Sequence, residues 1–181
     1  MKSRFALITG LIVLGISTRL FPHWPNFTAI GAVALLGGAL YRKGAWAYLI
    51  PVFIMFLSDL VINNVVYGGY QEGFRWFTGG FAFIYGAFLI TAILGRTYIK
   101  SFKAVPILGT GLGSALIFFL LTNLGVWLSG GMYPLTFSGL MMAYGAGLPF
   151  LLNMAMANIF YGALLFGAAY YTAPRQKLVQ A

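Results

Sequence analysis

The chain has 181 residues, of which 61% are hydrophobic and only 7% charged, whereas a soluble domain carries roughly 25% charged residues. That balance excludes a soluble globular protein. The net charge of +9, with eleven Lys and Arg against Asp59 and Glu72, is no nucleic-acid footprint, because the basic residues sit in short segments between apolar runs. With no cysteine, disulfides, thiolate nucleophiles and thiolate metal ligands are excluded together.

Lys2 and Arg4 precede an apolar run over residues 5–16, the charge-then-apolar form of a signal peptide, and Gly15-x-Ser17 has the form of a cleavage site. We read the run instead as an uncleaved first helix. The interval from Arg4 to Arg19 spans roughly 21 Å at the helical rise, and arginines snorkelling at both ends extend it toward a bilayer width. The proline-stiffened turn Pro22-His23-Trp24-Pro25-Asn26 leads to a second segment, 27–41. There Gly31, Ala34 and Gly38 leave one helix face almost without side chains, suited to close approach of another backbone. The third segment, 46–67, comes after Arg42 and Lys43 and carries Asp59, the one acidic residue inside a predicted span. The fourth, 76–95, stops at Arg96, and the fifth covers 105–128. An uncharged, glycine-rich and aromatic linker, 129–147, is expected to lie on or dip into the membrane face. The sixth segment, 148–171, precedes Arg175 and Lys177.

For six spans, Lys2, Arg4, Arg42, Lys43, Arg96, Lys100, Lys103, Arg175 and Lys177 share one side, and Arg19 and Arg75 the other. This asymmetry predicts both termini in the cytoplasm and a multi-pass protein of the cytoplasmic membrane. A re-entrant hairpin of the first two segments would leave Arg42 and Lys43 on the same side, so the charges fix orientation better than they fix two full crossings. The expected fold is one all-α, six-transmembrane-helix bundle over residues 1–181.

Asp59, Asn63, Tyr67 and Tyr70 are spaced i, i+4, i+8 and i+11, which aligns them on one face of an α-helix. Asp59 lies about 20 Å along its helix from Trp46, in the outer half of the bilayer. An ionisable group there reads either as a functional site facing the interior, or as a structural partner of Arg19 or Arg75. Trp24 suits an interfacial anchor, while His23 and Asn26, held between prolines, suit a pocket wall. Asn123 and Trp127 recur at i, i+4 near the end of the fifth segment, and Asn153 lies near the start of the sixth. Singly, such amides read as interhelical glue. Together, His23, Asn26, Asp59, Asn63, Tyr67, Asn123, Trp127, Tyr133, Tyr144 and Asn153 all map to the outer third, which argues for a small-molecule pocket open to the outside.

Gly109-x-Gly111-x-Gly113 has the wrong spacing and context for dinucleotide binding and reads as helix packing. No Walker, Ser-His-Asp or zinc pattern occurs, a lone His is weak as a metal ligand, and Glu72 beside Arg75 reads as a solvated loop pair. No enzymatic activity, cofactor or metal is expected. Two further readings stay open: a secondary transporter in which Asp59 carries a proton, and an assembly protein whose Asp and Asn residues only pack helices.

The outer polar cluster, the small-residue helices and the predicted topology resemble the substrate-binding S components of energy-coupling-factor transporters. More specifically, Pro25-Asn-Phe-Thr-Ala-Ile-Gly-Ala32, Leu36-Gly-Gly-Ala39, Ser58-Asp59 and Asn158-Ile-Phe-Tyr-Gly162 resemble an uncharacterised bacterial family of transport proteins. The resemblance implies capture of a vitamin or similar micronutrient from outside, with cobalamin as one candidate, although the cysteine associated with cobalt contact is absent here. It also implies a transmembrane coupling subunit with ATPases. That subunit would dock on Ala6-x-x-x-Gly10, where the usual pattern has two alanines, or on Ala34 and Gly38. The surrounding partner is the lipid bilayer.

Overall fold

The computed structural model describes residues 2–42, 44–70 and 73–172, with side chains from residue 6 to residue 171. The topological readings of Lys2, Arg4, Lys43, Arg175 and Lys177, and the pairing of Glu72 with Arg75, lie outside the described residues or side chains.

Among the described residues every regular element is helical: α1 (Lys2–Leu20), α2 (Ile30–Leu40), α3 (Trp46–Val61), α4 (Phe81–Tyr98), α5 (Ala104–Leu128) and α6 (Phe137–Thr172). Four of these are long and apolar enough to cross a bilayer: α3 with the turn that continues it to Val66, α4, α5 and α6. This is the make-up of a multi-pass membrane protein.

Helix α2 is the core. Residues 30–39 are all buried, and the helix packs against each of the other five. Its small residues explain how. A Cβ added at Gly38 would land on the Ala92 carbonyl oxygen of α4, and one at Gly95 of α4 on that of Leu35. The two backbones thus touch directly, the approach that small residues permit between apolar helices. Ala34 is fully buried in the same place. The face read as a docking surface, Ala34 with Gly38, is filled by this chain's own helices.

At 11 residues, α2 is roughly 16 Å long, about half the hydrocarbon thickness. The predicted segment 27–41 is shortened because residues 21–29 turn instead of winding. Asn26 adopts φ 64°, a left-handed conformation that Asn tolerates better than most residues, and the Ala29 N–H donates to Thr18 Oγ1 of α1 at 3.1 Å.

Where α3 ends, residues 62–66 form a π-helical turn. The wider bonding pattern rotates the residues beyond it off the helix face, so the predicted stripe splits. Asp59 and Asn63 are buried, whereas Tyr67 is half exposed and Tyr70 almost wholly exposed. The 73–80 loop delays α4 to Phe81, and Asn64 pins it by donating to the Arg75 carbonyl and accepting from the Arg75 N–H, each at 2.8 Å. At the other end of the bundle, Arg42 donates to the carbonyls of Ile99 at 2.8 Å and Ala39 at 3.4 Å. It thereby caps carbonyls at the C-terminal ends of both α4 and α2.

The 129–147 linker is corrected more strongly. Only residues 129–136 are irregular, and α6 starts at Phe137 and runs for 36 residues, roughly 54 Å. Gly139, Ala143 and Gly147 recur every fourth residue and are buried, Gly139 on the Pro134 carbonyl and Gly147 against Asn123. Glycines that suggest a loop in water form a packing face here. Lower on α6, Asn158 donates to the Gly111 carbonyl at 2.9 Å and to Ser114 Oγ at 3.1 Å, with its carbonyl oxygen over Gly31. One amide therefore joins α2, α5 and α6.

Candidate functional site

Because α2 stops halfway, the bundle is hollow beyond its first residues. A cavity of about 450 Å³ lies between the end of α1, the turn that follows it, and α3, α4 and α5. A second chamber of about 220 Å³ opens between that turn, α5 and α6. Asn26, Ile84 and Phe118 line both, so the two form one divided space.

Behind the larger chamber stands a buried ion pair. Arg19 Nη2 donates to Asp59 Oδ1 at 2.7 Å, and Nη1 donates to Ser58 Oγ at 2.9 Å, Met55 Sδ at 2.8 Å and the Met55 carbonyl at 3.4 Å. The Tyr85 hydroxyl donates to Asp59 Oδ2 at 2.9 Å. Both carboxylate oxygens are thus partnered, and the pair ties α1 to α3 and α4. Asp59 has no exposed surface, while the Arg19 side chain is 15% exposed and lines the chamber. The cation, not the carboxylate, faces the space.

The sequence-predicted residues divide accordingly. His23, Asn26 and Tyr67 line the larger chamber, and Asn26 and Asn123 the smaller. The His23 ring is fixed by Nδ1 donating to the Phe21 carbonyl at 2.6 Å; a carbonyl only accepts, so this nitrogen carries the proton. Asp59 reaches the chamber only through Arg19. Asn63 is buried at the π turn, where Oδ1 accepts from Thr78 at 3.3 Å and Nδ2 has no partner among the described residues.

The remainder are structural in their contacts. Asn153 donates to the Pro25 carbonyl at 2.9 Å, holding the turn against α6. Trp127 Nε1 donates to the Pro134 carbonyl at 2.9 Å and the Tyr144 hydroxyl to that of Leu120 at 3.1 Å, so both brace the α5–α6 hairpin. Trp24 is exposed and meets Phe27 edge to face. Tyr133 lies in the short loop between α5 and α6 and lines neither chamber.

Sequence reasoning missed Thr28, Ile84, Phe88 and Phe118 as chamber residues, and Tyr85 as a partner of Asp59. Phenylalanines recur in every apolar run and carry no individual signal. Arg19 was legible as a partner of Asp59 but not as the group that faces the space.

Residues 1–180 match the model of a family described as Family of unknown function (DUF6580). No curated protein and no solved structure matches the chain.

Proposed function

We propose a small-molecule capture role for this chain, which belongs to the DUF6580 family of unknown function. In this reading it is a six-span protein of the cytoplasmic membrane with both termini inside. It takes a vitamin-like micronutrient from the outer face into the divided cavity for import, as an S component does. The observation that carries the reading is the cavity itself: its volume falls in the range of small-molecule sites, and apolar walls surround a few polar groups, Arg19, His23, Asn26, Thr28 and Tyr67. A space of about 450 Å³ suits a compact molecule better than cobalamin, whose corrin ring carries a nucleotide loop.

Release to the inside requires an energised partner. Ala6 and Gly10 of α1 are both exposed, and nothing lies within 4 Å of a Cβ built on Gly10, so this face is open to a transmembrane coupling subunit bearing ATPases. Of the two other readings, the double partnering of Asp59 by Arg19 and Tyr85 favours a helix-locking carboxylate over a proton carrier.

The test is to purify the protein in mild detergent, identify co-purifying small molecules by mass spectrometry, and measure thermal stabilisation across a vitamin panel. A saturable stabilisation is expected. A well-folded sample that neither carries nor gains a ligand would sink the proposal.

A further inference from the structure

Taking the capture role as its basis, we infer that the ligand is a carboxylic acid with an apolar body, its head against Arg19 and its body in the adjoining chamber. Among the described residues lining the larger chamber, Arg19 bears the one fixed charge, and no carboxylate lines it. The bonds Arg19 makes use Nη1 and Nη2. Its Nε–H, one of five guanidinium donors, bonds to no described residue. Thr28 and Asn26 line the same chamber, and neither side chain hydrogen-bonds to a described residue. The space thus offers spare donors beside a guanidinium that Asp59 pairs on one side, with its Nε edge left for a second, ligand carboxylate.

The second chamber is more apolar and uncharged, with Asn26, Thr122 and Asn123 as its polar groups. Phe119, Val126, Phe150, Leu151 and Met154 line it, and Phe118 and Ile84 mark the passage. An acid head and an apolar body therefore match the two halves in order. Asp59 behind Arg19 holds the guanidinium in place in the empty state, so the arriving carboxylate meets a preformed donor. An amine in the same place would face a cation with no carboxylate on the wall.

The experiment compares indole-3-acetate with indole-3-acetamide and tryptamine, and adds decanoate, by thermal shift and calorimetry at neutral pH. The acids should stabilise the protein saturably, the amide should bind about tenfold more weakly or worse, and the amine should not bind. Preference for the indole acid points to a soluble metabolite, and preference for decanoate to a membrane-derived fatty acid; both fit the inference. Amide or amine binding as tight as the acid overturns the acid assignment and leaves small-molecule capture standing. Absence of binding by every member up to about 10 mM overturns the acid assignment, and the capture role falls with it only if co-purification and the vitamin panel are also negative.

The double substitution Arg19→Gln with Asp59→Asn removes both charges without stranding either, and should abolish the advantage of acid over amide. Arg19→Lys keeps the charge opposite Asp59 but loses the fork, and should weaken the acids while tryptamine stays excluded. An undiminished acid preference in either variant overturns the inference.

Discussion

The two ends of this bundle are built on different rules. At the Arg42 end, α2 and α4 meet backbone to backbone through Gly38 and Gly95, and no side chain stands between them. At the cavity end α2 is missing: it begins at Ile30 and has 11 residues, roughly half the length that a bilayer core requires, and a turn takes its place. Large rings such as Phe21, Phe88 and Phe118 surround the space without filling it. The cavity is in effect the absent half of the central helix. A membrane bundle has little hydrophobic drive to collapse such a gap, because lipid is as apolar as the side chains. The cavity end is instead held open and in register by a few polar bonds, chiefly the Arg19, Asp59 and Tyr85 cluster.

The largest effect should therefore come from breaking that cluster. Asp59→Ala leaves the Arg19 guanidinium without its partner, and loss of one member of a buried pair costs about 3–5 kcal/mol. The expected outcome is a marked drop in melting temperature in detergent, with the α1–α3 connection loosened first. Cysteines placed on those two helices should then crosslink at higher rates. An Asp59→Ala protein as stable as the parent would show that the cavity end does not depend on its polar bonds.

Gly38→Val probes the opposite end. The added side chain meets the backbone of Ala92 and Arg96, which cannot rotate aside as a side chain does. Overpacking of this kind costs about 1–3 kcal/mol. Stability and monodispersity should fall, while Gly10→Val, at a position with open space around it, should leave both unchanged. Equal tolerance of the two substitutions would remove the distinction between the ends.

The contrast also explains how much was legible in the sequence. Membrane character and the approximate position of every helix come from composition and apolar run length, properties that need no tertiary information. The small-residue face of the second segment was legible as a packing surface, but whether it packs inside the chain or against a partner depends on helix neighbours, and here α4 occupies it. The same small residues misled at 137–147, where Gly139, Ala143 and Gly147 extend α6 by three turns; glycine marks a loop in water and a contact face among helices. The polar stripe from Asp59 to Tyr70 failed for a different reason. It assumed uninterrupted α-helical geometry, and the π turn at 62–66 shifts the register midway. Of the candidate site, the turn residues His23 and Asn26, held between prolines, line the larger chamber. The group that faces the cavity was not, since nothing in the sequence distinguishes which partner of an ion pair lies in front.

The smallest effect belongs to the turn that replaces the upper half of α2, and it separates conformation from chemistry. Asn26 has φ 64° and also lines both chambers, so its presence has two independent reasons. Asn26→Ala should cost about 1 kcal/mol, because the left-handed region disfavours a Cβ-bearing residue and Asn tolerates it better than most. Asn26→Gly removes that penalty and should stay within about 0.5 kcal/mol of the parent. If the amide serves only the turn, Asn26→Gly keeps both the melting temperature and the ligand-induced stabilisation. If it also serves the cavity, Asn26→Gly keeps the first and loses part of the second, and Asn26→Ala loses both. Thermal unfolding of the two variants with and without an aromatic acid distinguishes these outcomes, and the split expected here is retained stability with weakened ligand response in the glycine variant.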